Sequence, residues 1–84
     1  MTYALKIIAK AEKDLDAIRG RDFEAIKKKI VSLSANPRPF GCRKLTNEEG
    51  HRIRMGDFRI LYRIDDHAKE VVIYRVKYRR EAYR

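Results

Sequence analysis

The sequence predicts an α+β fold in which two N-terminal helices pack on one face of a small, mainly antiparallel, twisted sheet. Apolar residues recur at steps of three and four in the first half of the chain and at steps of two in the second half. A chain of 84 residues can also bury one modest core. We therefore expect a single domain over residues 1–84.

The first 36 residues are predicted to form one strand and two helices. Residues 2–9 alternate as a half-buried strand does. Two helical stripes follow, joined at "RGR"; they consist of Ala11, Leu15 and Ile18, and of Phe23, Ile26, Ile30 and Leu33. Asn36-Pro37 should end the second helix, because proline cannot continue the hydrogen-bond ladder and restricts the residue before it.

The rest of the chain is predicted to form four short antiparallel strands after the turn "NPRPFG". They cover residues 42–45, 51–55, 58–64 and 71–76, and are separated by "TNEEG", "GD" and "DDHAKE". The Gly-Asp pair between two alternating runs indicates a two-residue hairpin.

The hairpin separates apolar from basic side chains. If Met55 pairs with Phe58, then Arg54 lies opposite Arg59. The apolar residues share the face that can pack on the second helix: Ile53, Met55, Phe58, Ile60, Tyr62 and Ile64. The basic residues share the other face: Arg52, Arg54, Arg59 and Arg63. Opposed like charges destabilise a sheet, so this arrangement favours an anion bound between the arginines.

The last strand is predicted to extend the basic face. Arg75, Lys77 and Arg79 alternate with Tyr74, Val76 and Tyr78, and we expect this second set to face the core. Arg75 and Arg79 would then lie beside Arg59. This orientation requires an odd-length loop after Asp65, since an even one would turn Arg75 inward, where an unpaired charge is costly.

The charge of the chain favours a polyanionic partner. Twenty-one basic residues against 12 acidic ones leave a net charge of +9, and residues 37–84 carry 13 of the basic residues. A solvated face whose arginines pair with nearby acids is the alternative, but residues 52–63 contain one acid, Asp57, in the turn. Guanidinium groups suit phosphate because their planar fork donates two parallel hydrogen bonds.

The C-terminal segment "VKYRREAYR" interleaves cations with Tyr78 and Tyr83. Single-stranded nucleic acid binds to such sequences, because bases stack on rings while phosphates contact cations. Packing of the two tyrosines on the sheet is the alternative.

Metal, disulfide and membrane functions lack support in the sequence. Cys42 has no second cysteine, and it does not form a metal-ligand spacing with His51 and His67. There is no apolar run of 18 residues and no signal peptide. We expect a cytoplasmic protein with no cofactor and no membrane contact.

The order strand, helix pair, "NP", "KL", "RIRMGDFRILYRI" and terminal "YRREAYR" resembles the RelE/ParE toxin superfamily over nearly the whole chain. The hairpin "GDFRILY", followed by the terminal arginine and tyrosine, is more similar to the RelE branch. This resemblance implies a ribosome-dependent mRNA endoribonuclease that acts in the A site and is held inactive by a cognate acidic antitoxin.

The resemblance also implies residue roles. Arg52 and Arg54 stand where the best-known RelE proteins have catalytic lysines, and Arg59 matches a phosphate-binding arginine. Arg79 matches the arginine thought to serve the leaving group, and Tyr83 matches a tyrosine that stacks on the substrate. The further residues expected to contact RNA are Arg63, Arg75, Lys77, Tyr78 and Arg80.

The chain departs from the RelE pattern after the last strand as well as at Arg52, where arginine is a poorer general base than lysine. Lys77-Tyr78-Arg79 stands where many relatives have Gly-His-Arg, so a histidine acid or base is missing. The expected reaction is attack of the RNA 2′-hydroxyl on the adjacent phosphate without a metal. A ParE-type inhibitor of DNA gyrase and a non-catalytic basic RNA-binding module are the alternatives.

Overall fold

A computed structural model of the chain describes residues 2–46 and 49–78. The elements, in chain order, are β1 (Ala4–Ile7), α1 (Ala9–Asp16), α2 (Gly20–Ala35), β2 (Arg43–Lys44), β3 (His51–Met55), β4 (Phe58–Asp65) and β5 (Glu70–Tyr78). The strands form one sheet in the order β1-β5-β4-β3-β2, in which β1 runs parallel to β5 and the other pairs are antiparallel. The predicted α+β class, with two helices packed against a mainly antiparallel sheet, is confirmed.

The core lies between the helices and one face of the sheet. The predicted helical stripes and the predicted apolar face of the hairpin all belong to this core or pack against it. Its largest fully buried side chains are Tyr62, Ile26, Leu33, Ile60, Ile73 and Val71. Because successive residues of a strand point to opposite faces, burial of this face directs the intervening side chains away from the helices.

The predicted hairpin register is confirmed. Met55 pairs with Phe58, and Arg54 pairs with Arg59. Gly56 adopts a φ of +60°, the left-handed backbone that the first residue of such a turn needs and that glycine adopts without steric cost.

The loop between β4 and β5 differs from the prediction. It has four residues, 66–69, and this even length turns Ile73 toward the core. The register then shifts: Tyr62 pairs with Ile73 while Leu61 pairs with Arg75, so Tyr74 is an extra residue in β5. Beyond the bulge, residues of β5 again alternate between the core and the opposite face. Ile73 and Val76, three residues apart, can therefore both be buried. The expectations of an odd loop and of a core-facing Tyr74 were therefore wrong.

The segment between α2 and β2 is fixed at both its ends. The buried Tyr62 hydroxyl donates to the carbonyl oxygen of Pro37 at 2.8 Å. Arg38 donates to both carboxylate oxygens of Asp66, at 3.2 and 2.8 Å, and the Tyr3 hydroxyl donates to the same carboxylate at 2.7 Å. The Cys42 amide donates to the Pro39 carbonyl. This loop is thus tied to the core and to the β4–β5 turn.

No described helix has the length and apolar character needed to cross a membrane.

Replacing Gly50 by alanine should destabilise the fold strongly. Gly50 has a φ of +114°, and a Cβ there would lie 2.6 Å from the carbonyl oxygen of Tyr62. We expect Gly50→Ala to lower the free energy of unfolding by at least about 2 kcal/mol, measured by urea denaturation. Gly56→Ala is the control, because a Cβ built there would have no atom within 4 Å outside its chain neighbours. This substitution should cost about 1 kcal/mol. Equal effects would contradict the close approach of β3 and β4.

The Asp66 carboxylate should stabilise the fold above about pH 4 and progressively less toward pH 2. The hydrogen bonds from Arg38 and Tyr3 lower the pKa of Asp66 from 3.8 to about 2. A lowered folded-state pKa contributes stability above the unfolded pKa, and this contribution is lost as the pH falls from about 4 through 2. Asp66→Asn should therefore lower the melting temperature at pH 7, and the difference should shrink toward pH 2. Glu24→Gln, which removes an exposed carboxylate of α2, should show no such pattern.

Candidate functional site

The face of the sheet turned away from the helices carries a cluster of cations, here called the arginine surface. It consists of Arg43, Arg52, Arg54, Arg59 and Lys77, from strands β2 to β5. Two cross-strand rows build it: Arg43 pairs with Arg52, while Arg59 lies between Arg54 and Lys77. The sequence-predicted Arg52, Arg54, Arg59 and Lys77 are thereby brought together.

Burial of the core face positions the arginine surface. Ile53 and Ile60, which pair across the hairpin and are at most 3% exposed, point to the helices. Their neighbours Arg52, Arg54 and Arg59 must therefore point the other way. A shift of one residue in either strand would exchange the two sets, so the hydrophobic core holds the cations in place.

Leu61 is the apolar centre of this second face. It is 7% exposed, lies outside the core cluster, and pairs with Arg52 on one side and Arg75 on the other. Long basic side chains commonly lay their aliphatic stems on such a residue and extend their charged ends to water. Leu61 thus provides an apolar surface on which neighbouring basic side chains can lie while their guanidinium groups extend to water.

The electrostatics of the rows favour binding of an anion. Each of the paired positions in the two rows is cationic, and Cβ atoms of opposed residues lie about 5 Å apart, so the pairs repel one another. A phosphate between them would accept charge-assisted hydrogen bonds, which are about twice as strong as neutral ones. The arrangement can therefore bind a phosphodiester and stabilise extra negative charge on it.

Arg43 is a member that sequence reasoning missed. The strand over residues 42–45 was predicted, but its register was not, because the connection to β3 is longer than a two-residue turn. Alternation within "CRK" was the available signal: Cys42 packs against the core, which turns Arg43 to the arginine surface.

Arg63 lies in a different environment, on the same face of β4 but four residues beyond Arg59. Its guanidinium carbon is 5.5 Å from the centre of the Tyr74 ring. It lines a shallow cavity of about 300 Å³ together with Glu49, Asp66 and Glu70. Acidic neighbours make this end of the sheet less favourable for an anion than the hairpin end.

Arg75 is held by helix α1. Its Nε donates to Asp14 Oδ2 at 2.8 Å, and the same carboxylate oxygen accepts the Val76 amide at 2.9 Å. Since β1 ends at Ile7, opposite Ile73, Asp14 satisfies a β5 amide that lies beyond the reach of β1. Arg75 was expected beside Arg59, but its ion pair with Asp14 directs it toward the helix.

Tyr78 lies on the core side of the sheet. It pairs with Phe58, and the two ring centroids are 5.1 Å apart. Both rings line a cleft of about 500 Å³ at the junction of α1 and α2. Its packing corresponds to the alternative in which the tyrosine covers the sheet. Arg79, Arg80 and Tyr83 lie outside the described residues.

His51 does not join the arginine surface. Its ring stacks on Tyr62, with centroids 5.9 Å apart, on the core side of the hairpin. Burial lowers the pKa of His51, and the positive charges of Arg38 and Lys44 lower it further. Within residues 2–46 and 49–78, no three His, Cys, Asp or Glu side chains are grouped as metal ligands.

Known proteins resemble this chain in sequence and fold. The family model described as ParE toxin of type II toxin-antitoxin system, parDE, matches residues 5–83. The RelBE2 toxin–antitoxin complex from Mycobacterium tuberculosis contains a chain that is 32% identical with a TM-score of 0.83, over 94% of this chain and 100% of that chain. No curated protein sequence matches significantly.

Two further solved structures share the fold. In the archaeal RelE–RelB complex from Pyrococcus horikoshii OT3, the matching chain is 27% identical with a TM-score of 0.81, over 94% of this chain and 97% of that chain. In the intact RelBE toxin–antitoxin complex from E. coli it is 24% identical with a TM-score of 0.78, over 90% and 95%. At this identity, the similarity to the E. coli chain shows only that the two chains share a fold.

Removing one cation of the arginine surface should stabilise the protein. We expect Arg54→Gln to raise the free energy of unfolding by about 0.5 kcal/mol at low salt, because it relieves the repulsion with Arg59. The gain should diminish at about 1 M salt, where charges are screened within about 3 Å. Lys27→Gln, on the exposed side of α2, removes the same charge and should give no gain; an equal gain would show that net charge, not the paired arrangement, is responsible.

Proposed function

The chain belongs to the ParE toxin family of type II toxin–antitoxin systems, within the RelE/ParE superfamily, and we propose that it acts as a RelE-type endoribonuclease. The resemblance seen in the sequence is thereby confirmed at the level of the superfamily. The proposed substrate is messenger RNA in the A site of the cytoplasmic ribosome.

One observation carries the proposal: the cross-strand row of Arg54, Arg59 and Lys77 on the face opposite the core. The row concentrates positive charge on one surface, and an RNA phosphate bound there would accept charge-assisted hydrogen bonds from it. The row lies at the hairpin end of the sheet, away from the acidic residues around Arg63. An RNA backbone that crosses this row would place one phosphate among several guanidinium donors.

The proposed reaction is attack of a 2′-hydroxyl on the adjacent phosphate. The new P–O2′ bond forms as the P–O5′ bond breaks, leaving a 2′,3′-cyclic phosphate and a 5′-hydroxyl that takes up a proton. Arg54 and Arg59 would stabilise the charge that develops on the phosphate, at about 3 kcal/mol for each well-placed donor. Arg79 would serve the leaving oxygen, and Tyr83 would stack on a base.

Proton removal from the 2′-hydroxyl is the step for which the chain is poorly equipped. Arg52 holds the corresponding position, and an arginine side chain stays protonated near neutrality, so it is a poor proton acceptor. His51 faces the other side of the sheet. Positioning of RNA in a reactive geometry can contribute about 7–11 kcal/mol, so a ribosome that bends the message would supply much of the acceleration.

The proposed regulator is an acidic antitoxin. The M. tuberculosis and P. horikoshii structures are toxin–antitoxin complexes, which supports the same kind of partner here. A net charge of +9 would bind nucleic acid indiscriminately, and an acidic segment that folds over the domain would neutralise it.

Inhibition of DNA gyrase is the second candidate, and the ParE description of the matching family favours it. This activity would need a protein target and no RNA chemistry. It predicts double-strand breaks in DNA and intact message.

A translating extract with a reporter mRNA tests the proposal. Wild-type protein should truncate the message within codons at the A site and leave 5′-hydroxyl ends, mapped by primer extension and end labelling. Arg59→Ala should slow cleavage by roughly 100-fold, as expected for loss of one donor to the transition state. Lys27→Ala, on the opposite side of the molecule, should cleave at the wild-type rate.

Three outcomes would contradict the proposal. Intact message in the extract, together with broken DNA in cells whose growth the protein stops, would identify the gyrase inhibitor. Inhibition of translation without cleavage would identify a non-catalytic RNA-binding module. Equal loss in Arg59→Ala and Lys27→Ala would show that the arginine surface has no special role.

A further inference from the structure

Phe40 is an aromatic residue that the packing of the fold does not explain. It is 104% exposed, more than any other large apolar residue described; Val31 and Ile8 follow at 56% and 38%. It lies between Pro39 and Gly41 in the loop that leads into β2. This full exposure leaves the ring accessible to a ligand, so Phe40 is a candidate contact residue.

The loop that carries Phe40 is held in shape. Pro37 is anchored by the buried Tyr62 hydroxyl, and Arg38 is anchored by both oxygens of Asp66. Beyond Phe40, the Cys42 amide closes a turn onto the Pro39 carbonyl at 3.1 Å. An exposed ring on a fixed turn loses little conformational entropy when a ligand stacks on it.

The surroundings of Phe40 in the chain are cationic. Residues 37–46 contain three basic side chains, Arg38, Arg43 and Lys44, and no acidic one. Arg38 is balanced by Asp66, whereas Arg43 and Lys44 are exposed on β2, at the edge of the sheet. Arg43 belongs to the arginine surface, and three residues span at most about 11 Å, so Phe40 adjoins that surface.

An apolar protein partner fits Phe40 poorly. Among residues 2–46 and 49–78, the other exposed large apolar side chains lie on separate elements, since Val31 belongs to α2 and Ile8 precedes α1. Protein docking usually needs a contiguous apolar patch of several hundred Å². A lone ring beside cations instead suits a ligand that combines negative charge with a flat π-face, which describes a nucleotide in single-stranded RNA.

We propose that Phe40 stacks on a nucleobase of single-stranded RNA whose backbone continues onto the arginine surface at Arg43. This inference deepens the proposed function, since it rests on RNA being the partner of that surface. Phe40 would position the strand, and it would take no part in the reaction. The contact is sequence-tolerant because every base has a π-face.

Tryptophan fluorescence tests the stacking directly. The chain contains no tryptophan, so Phe40→Trp introduces a single reporter at the proposed contact. Titration with a ten-nucleotide single-stranded RNA should quench this introduced indole at the concentrations at which fluorescence anisotropy of a labelled copy of the RNA reports binding. Val31→Trp is the matched control, because it places an exposed tryptophan on α2. This variant should bind the RNA equally well, and its fluorescence should not be quenched. Binding of RNA to the Phe40→Trp variant without quenching would overturn the inference.

A substitution series separates stacking from apolar contact. Phe40→Ala and Phe40→Leu should both weaken RNA binding at least about 5-fold, whereas Phe40→Trp should retain it. The dependence of affinity on salt should stay unchanged in all three, because no phosphate contact is removed. Wild-type affinity in Phe40→Leu would indicate an apolar contact and overturn stacking. These substitutions leave the core untouched, so each variant should fold.

The readouts are independent of cleavage, so the two proposals can fail separately. Quenching of the Phe40→Trp variant by RNA, together with intact message in the translating extract, would support the stacking contact and contradict the proposed endoribonuclease activity. Cleaved message without quenching would support the endoribonuclease activity and contradict the stacking of Phe40 on RNA.

Discussion

The pairing of Met55 with Phe58 is the constraint on which the rest of the structure depends. It fixes which residues of β3 and β4 face the helices, and it thereby sends Ile53 and Ile60 inward and the arginines outward. A sheet has a side-chain period of two, so a shift of one residue in this pairing would exchange the two sets. Burial of the core supplies the free energy that keeps opposed cations on one surface.

The charge of this sheet face differs between its two ends. Toward the hairpin, Arg54, Arg59 and Lys77 make the surface basic; toward the β4–β5 turn, acids surround Arg63. The Phe40 loop adjoins the β2 edge, next to Arg43. A single RNA strand bound across this face would therefore have one favourable course, from the β2 edge over the hairpin rows.

Local pattern was sufficient to predict the hairpin, because a two-residue turn fixes the register of its strands. The bulge at Tyr74 could not be predicted from alternation, since it depends on Ile73 and Val76 both finding room in one core. Nor could the pairing of Arg75 with Asp14, which lies 61 residues earlier in the chain. The parallel pairing of β1 with β5 is also a long-range contact that periodicity does not encode. Within the candidate site, the face on which the hairpin arginines lie could be predicted from the alternation of side chains along the strands. The positions of Arg43 and Phe40 could not, because they depend on where β2 lies in the sheet.

The salt dependence of RNA binding tests most directly whether the arginine surface receives the phosphate backbone. For single-stranded RNA, the logarithm of affinity should fall with the logarithm of salt concentration by about 0.7 for each phosphate contact. Arg54→Ala and Arg59→Ala should each reduce the slope by about that amount, and Lys27→Ala should leave it unchanged. Unchanged slopes in both arginine variants, with a reduced slope in Lys27→Ala, would place the RNA on the helical side and contradict the account.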